Sequence, residues 1–350
     1  MSLLETLKKN STVKQSAILA ESKFFDETKV QTSVPAMNIA LGGALDGGFG
    51  CGLTIFAGPS KHFKTNFTLF MLKAYMDAHN DAVCLFYDSE FGSPQAYFQS
   101  FGIDTSRILH TPVTNIEELK FDIMQQLENI KRGDKVFIVF DSLGNIASKK
   151  EVDDALDGKS VADMSRAKQL KGFFRMVTPH LKMKQIPMVV VAHTYSTQEL
   201  YSKQVVSGGL GAYYSADQIF ILGRQQEKDG TEVTGYNFVI NVEKSRFVRE
   251  KSKIPVTVLH GSGISKWSGL LDMALDSKYV VKPSNGWYSR VDADGVVEDK
   301  KWRQADTDSQ AFWGSVLANT GFKKYITDTY QVSSGDMITD EEIDEEMGAA

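Results

Sequence analysis

Cysteine is scarce in this 350-residue chain, with only Cys51 and Cys84. Two cysteines cannot build a disulfide framework, and such sparing use suits a reducing cytoplasm. Long apolar runs are missing as well: none approaches the roughly 18 residues that span a bilayer, which excludes a transmembrane role. The opening "MSLLETLKKNSTVKQ" has no apolar stretch followed by small residues, so no secretory signal is expected. Internal repeats are absent. A strong charge of one sign is also lacking once its location is considered. The net charge of −5 is concentrated in the last 16 residues, "GDMITDEEIDEEMGAA", which hold seven acids and no base. The rest carries 37 acids against 39 bases, about +2. Such a tail can act as a solubilising end or can compete with polyanions for a basic surface.

What is present is a globular composition, 42% apolar and 24% charged, with length for two domains or one large domain with appendages. Residues 1–33 read as an N-terminal helical arm, with Leu3, Leu4, Leu7, Ile18 and Leu19 as its apolar positions. From 34 to 261 short apolar strands alternate with helices. "LTIFA" (53–57), "AVCLFY" (82–87), "KVFIVF" (135–140) and "MVVVA" (188–192) read as buried strands, followed by strands at 218–222, 236–242 and 254–259. Helices are expected at 65–79, from Asn115 with a capping box to Glu118, and at 160–182. This alternation predicts an α/β fold with a doubly wound, mainly parallel sheet. Residues 262–333 read as a small α+β domain with a hairpin in "NGWYSRVDADGVV" turning at an Asp-Gly. The tail, 334–350, reads as disordered.

Ligands of such sheets bind beyond the carboxyl ends of the strands, and four polar groups follow apolar strands here. The first is "GPSKHFKTN" (58–66). Gly58, Lys64 and Thr65 match the phosphate-binding loop G-x-x-x-x-G-K-[ST], but Phe63 replaces its second glycine. In such a loop the lysine reaches the β- and γ-phosphates, the threonine hydroxyl ligates magnesium, and backbone amides at a helix start cradle the anion. The second is Asp141, 77 residues beyond Lys64, in the position of a magnesium-side acid. The third is the pair Asp88 and Glu90, either of which can orient and deprotonate an attacking water; extended chain would point both to one side. The fourth is His193, a strand-end histidine that can hydrogen-bond a γ-phosphate or simply serve as a satisfied polar cap. Glycine serves such loops through positive φ, and a phenylalanine there would be strained by roughly 1–2 kcal/mol. The expectation is therefore negative φ at Phe63, or a strained and wider loop, with the ring turned away from the phosphates toward neighbouring helices.

The segments "VPAMNIALGG", "FAGPSKHFKTNFTL", "CLFYDSEFGSPQAYFQSFGID", "VFIVFDSLGNIASKKE", "NVEKSR" and "NGWYSR" follow the order and spacing of RecA-type recombinases. Within that family the chain most resembles the UvsX-type strand-exchange recombinases of T4-like phages, from about residue 20 to 333. The resemblance implies a RecA-type ATPase core that uses ATP and Mg2+, forms a filament on single-stranded DNA and exchanges it into a homologous duplex. ATP would bind between subunits. By position, Gly58, Pro59, Ser60, Lys61, His62, Phe63, Lys64, Thr65, Asn66 and Ser142 line the phosphates, with Thr65 and Asp141 on the metal. Glu90 matches the activating base, Tyr97 an aromatic stacking on adenine, and His193 a strand-end sensor. Lys244 and Arg246 resemble a pair reaching the neighbouring subunit's ATP.

The same resemblance places DNA-contacting loops at about 147–162 and 194–213. Lys149, Lys150, Arg166, Lys168 and Lys203 would meet phosphates there, and Ser207, Gly208 and Gly209 would approach the backbone closely. Glu151, Asp153, Asp154 and Asp157 make the first stretch far from a simple basic patch. The implied partners are single-stranded and duplex DNA, further copies of the chain, a single-strand-binding protein and a recombination mediator. No membrane partner is expected, and a phage-encoded chain would act in the host bacterial cytoplasm. A hexameric helicase with the same core and a non-hydrolysing ATP-binding scaffold are the rival readings.

Overall fold

The computed structural model describes residues 2–159, 165–196, 204–229, 232–260 and 263–332. Helix α1 (Leu3–Asn10) is capped by Ser2, yet none of its residues is buried, and Leu3, Leu4 and Leu7 face solvent. The helical reading of the arm holds only for these two turns. Ser11 ends the helix, and Leu19 lies in a lone 3-10 turn, Leu19–Glu21. Serine and threonine between them compete with the helical backbone for its hydrogen bonds.

After α2 (Pro35–Gly42), strands and helices alternate through β1 (Gly52–Ala57), α3 (Lys64–Ala78), β2 (Val83–Asp88), α4 (Gln95–Ser100), β3 (Ile108–Pro112) and α5 (Ile116–Asn129). They continue through β4 (Val136–Asp141), α6 (Lys149–Leu156), α7 (Ser165–Lys184) and β5 (Pro187–Ala192). A small ribbon, β6 (Thr194–Ser196) with β7 (Gln204–Val206), leads to α8 (Gly209–Ser215). The strands β8 (Gln218–Asp229), β9 (Glu232–Ser245), β10 (Lys253–Leu259) and β11 (Gly263–Ile264) complete the sheet. Its order is β11-β10-β9-β8-β1-β5-β4-β2-β3, parallel from β8 to β3 and antiparallel from β8 to β11.

β1, β4 and β5 are buried at every position, which is why they read as continuous apolar runs. Alternate residues feed two cores. Phe56, Phe86, Val139 and Val189 face α2 and α3, whereas Ile55, Tyr87, Phe140 and Val190 face α5, α7 and α8. One irregularity matters later: Ile219 pairs with Lys244 but Phe220 with Val242, leaving Glu243 as the extra residue of a β-bulge.

The C-terminal part comprises α9 (Leu270–Asp276), β12 (Val280–Ser284), β13 (Trp287–Arg290), β14 (Trp302–Arg303), α10 (Gln310–Ala318) and α11 (Thr320–Tyr330), with its strands in a three-stranded antiparallel sheet. Its hairpin turns at Asn285–Gly286, with Gly286 at φ 76°, and not at the Asp-Gly expected. Asp294–Gly295 instead closes a smaller loop bridged by Val291 and Val297. Phe312 and Trp313 continue the first core, so the two parts share apolar packing.

Candidate nucleotide site

The sheet brings the ends of β1, β2, β4 and β5 side by side, with Asp88 paired to Asp141 and Ala57 to Ala192. A cavity of about 230 Å3 opens there, lined by Ser60 to Asn66, Glu90, Tyr97, Asp141 and His193 among others. Lys64 begins α3, so the orphan N–H groups of a 15-residue helix point into the cavity. Burial lowers the Lys64 ammonium's pKa, partly offset by Glu90 and Asp141, and its Nζ donates to the Pro59 carbonyl at 2.9 Å. Gly58 approaches β8 closely: a Cβ on it would lie 3.2 Å from the Leu222 carbonyl oxygen.

Phe63 contradicts the expected negative φ. It sits at φ 63°, ψ 18°, in the left-handed region, as does Lys61 at φ 61°. Tertiary contacts hold this conformation. The Phe63 ring stacks on Phe238 of β9 with centroids 5.0 Å apart and meets Phe67 of α3 edge-on at 5.8 Å. It does turn away from the cavity's polar wall, toward a strand as well as a helix.

The acids divide their tasks. Asp88 and Glu90 do not point together, because β2 ends at Asp88 and the chain folds back there, bringing the Glu90 and Phe91 N–H groups onto the Asp88 carboxylate. Asp88 is buried and its Oδ1 accepts the Glu90 and Phe91 N–H groups, while Oδ2 lies 3.2 Å from His110 Nε2. Glu90 faces the cavity. Its Oε1 accepts from Ser142 Oγ at 2.6 Å and lies 2.8 Å from His193 Nε2. Burial pulls its pKa upward, but those two hydrogen bonds and the nearby His193 and Lys64 charges win, and the carboxyl titrates below its ordinary value. His193 packs so closely on Gly144 that a Cβ there would lie 2.2 Å from its Cδ2, a constraint that nothing in the sequence pattern announced.

Asp141 accepts from Thr65 Oγ1 at 2.7 Å on Oδ2, and its buried Oδ1 has no partner. Burial raises its pKa to about 6, with Glu90 and Asp88 pushing the same way and the Thr65 bond opposing. A buried carboxylate oxygen without a donor, beside a hydroxyl and a lysine, fits a hydrated Mg2+ that takes few protein ligands. Among the described residues no cluster of three or more acidic, His or Cys side chains offers a fuller cage. Tyr97 lines the cavity and contacts Asn66; burial first, then Asp141, pushes its hydroxyl up to about 12. Beyond Phe63, Asn66 and Tyr97 a further cavity of about 650 Å3 continues toward Phe101 and His260.

The sequence as a whole is similar to known proteins. Residues 4–265 fit the family model described as the RecA N-terminal domain. Residues 267–326 fit that of the C-terminal domain of the bacteriophage T4 recombination and repair protein. The chain is 51% identical to the recombination and repair protein of Enterobacteria phage T4, over 98% of this chain and 90% of that one. It is 24% identical to Protein RecA of Streptomyces rimosus over 74% of this chain and 67% of the relative, and 25% identical to that of Cutibacterium acnes over 75% of each. The chain belongs to the RecA family.

Other residues that RecA-type sequences point to lie elsewhere. Lys244 and Arg246 sit at the amino end of the parallel strands, far from this cavity. Lys244 Nζ donates to the Tyr213 carbonyl at 2.7 Å, and Arg246 Nε lies 2.9 Å from Asp217 Oδ1. In the first DNA stretch the structure has helix α6 in place of a loop, started by a capping box of Ser148 and Glu151. Lys149 is exposed at its start, and Lys150 pairs with Asp154 one turn on. Arg166, expected at a DNA phosphate, donates here to the Ile146 carbonyl at 2.7 Å and the Leu143 carbonyl at 2.5 Å, bracing the chain after β4. Lys168 is exposed on α7. Ser207 N–H donates to the His193 carbonyl at 2.8 Å, tying the second stretch to the cavity. Gly208 at φ 107° is the N-cap of α8, which begins with Gly209 at φ 70°. Lys203 lies outside the described residues.

Proposed function

We propose that this RecA-family chain is an ATP-dependent recombinase that polymerises on single-stranded DNA and pairs it with a homologous duplex. The observation that carries the reading is the convergence of Lys64, Thr65–Asp141 and the Glu90–Ser142–His193 network on one cavity, within a chain half identical to a phage recombination and repair protein. Lys64 and the amides of residues 60 to 66 would hold the β- and γ-phosphates, and Tyr97 the base. Thr65 and Asp141 would hold Mg2+, which offsets phosphate charge when bound. Glu90, kept ionised by its donors, would take a proton from the attacking water. His193 would exchange its Glu90 bond for one to the γ-phosphate, and its carbonyl would pass that change to Ser207 and the DNA-facing chain.

Lys244 and Arg246 would complete the site of the next protomer in the filament, a role in keeping with their distance from their own cavity. Lys149, Lys168 and Ser207 to Gly209 are the described candidates for DNA contact. Residues 1–33 would serve as an assembly arm. A single-strand-binding protein and a mediator are the further partners proposed, with the bacterial cytoplasm as the setting. Strand exchange and DNA-stimulated phosphate release, measured for wild type and Lys64→Ala, test the reading. Exchange by wild type alone is expected. DNA-stimulated hydrolysis without exchange would point to a helicase, and filaments without hydrolysis in either protein would point to a scaffold.

A further inference from the structure

The phosphate loop carries two residues in left-handed φ, Lys61 and Phe63, and neither is glycine. Each is met by one side chain of a cross-strand pair in the β8–β9 hairpin. Arg224 and Phe238 stand directly opposite one another in register and so project from one face. Arg224 Nη1 donates to the Lys61 carbonyl at 3.0 Å, and Phe238 stacks on the Phe63 ring at 5.0 Å. Tyr236, two residues along β9, lies under the Arg224 guanidinium at 4.7 Å and fixes where it can reach. Phe238 is fully buried, whereas Arg224 is exposed and its only recorded hydrogen bond among the described residues is to the loop.

We infer that Arg224 and Phe238 are positioning residues for the phosphate loop, supplying from the neighbouring hairpin the conformational hold that glycine would make unnecessary. A glycine populates left-handed φ without steric penalty, so a loop built with it needs no outside clamp. Here the left-handed state of Lys61 and Phe63 is disfavoured locally and persists because surrounding structure over-determines it. Loosening either contact lets the loop relax to negative φ, turning its amides away from the anion. The pair touches no phosphate itself; it acts through Lys61 and Phe63. The inference rests on reading residues 58–66 as the phosphate site.

Binding of a fluorescent ADP analogue without DNA tests it, with thermal unfolding checking each variant's fold. Arg224→Ala, a surface change, should weaken ADP binding about fivefold, the scale of one hydrogen bond. In a Lys61→Gly background the same change should matter less than about twofold, because glycine holds left-handed φ unaided. Phe238→Leu should likewise weaken binding in wild type and lose most of that effect beside Phe63→Gly. Wild-type affinity in Arg224→Ala, or an undiminished loss in the Lys61→Gly background, overturns the inference. Lys64→Ala separates this from failure of the underlying reading: unchanged ADP binding there rejects the phosphate site itself, whereas lost binding there with an inert Arg224→Ala rejects only the clamp.

Discussion

Asp141 and Asp217 are equally buried, 3% and 4% exposed, at opposite ends of the parallel strands. Asp217 has company. Its Oδ2 accepts the Leu53 N–H at 3.0 Å and lies 3.2 Å from Lys182 Nζ, and Arg246 Nε sits 2.9 Å from its Oδ1, though without hydrogen-bond alignment. Among the described residues Asp141 has one hydroxyl donor to its side chain and no cation in contact. The pair teaches that burial of an acid is not what marks a ligand site. A buried carboxylate surrounded by cations is a brace, whereas one short of donors keeps a coordination position open.

Replacing each aspartate should break the symmetry in opposite ways. Asp141→Asn keeps an acceptor for Thr65 but removes the charge, and should lower DNA-stimulated phosphate release about a thousandfold with the fold intact. Asp217→Ala leaves the buried Leu53 N–H without its acceptor and takes one partner from Lys182 and Arg246, and urea denaturation should show a loss of about 1–3 kcal/mol; an equally stable variant would refute the brace. A pH series sharpens the contrast. In the absence of metal and nucleotide, burial raises Asp141 from 3.8 to about 6. Between those values the folded chain keeps a proton that the unfolded chain releases, so this group's stabilising contribution is full below pH 3.8 and is lost as pH rises through about 6. Relative to wild type, Asp141→Asn should therefore gain about 2–3 kcal/mol of stability on going from acid to pH 7. The smallest effect is expected from Gly144→Ala. Its methyl would collide with His193, displacing the imidazole from Glu90 and lowering turnover about tenfold at unchanged ADP affinity.

Much of the sheet was legible in the sequence because parallel strands buried on both sides leave continuous apolar runs ending in polar residues. β1, β2, β4 and β5 stand within a residue or two of their expected bounds. β3 was not legible: "ILHTP" is an edge strand with little buried surface, so neither apolar run nor alternation marks it. α6 has a local signal in its capping box, Ser148 with Glu151, but its charged, wholly unburied residues show no apolar face to go with it. The direction of Phe63 could not be read locally at all. Its ring stacks on Phe238, 175 positions away in sequence, and local sterics alone argue for the other sign of φ. Asp88 and Glu90 are told apart by the turn that begins at Asp88, where β2 ends and the extended pattern with it.

The bulge at Glu243 gives β9 two-sided reach. Phe238, Ile240 and Val242 face the first core, and an unbroken pleat would carry Lys244 to that same side. The extra residue reverses the parity, so Lys244 points to the opposite face and meets the carbonyls of Tyr213 and Tyr214 at the end of α8. One strand thus props the loop of its own site with one residue and, six residues later, presents a cation on the other side of the sheet. The wiring depends on an odd count: removing a single residue between Val242 and Lys244 would leave the composition of the strand nearly unchanged and cross the two connections.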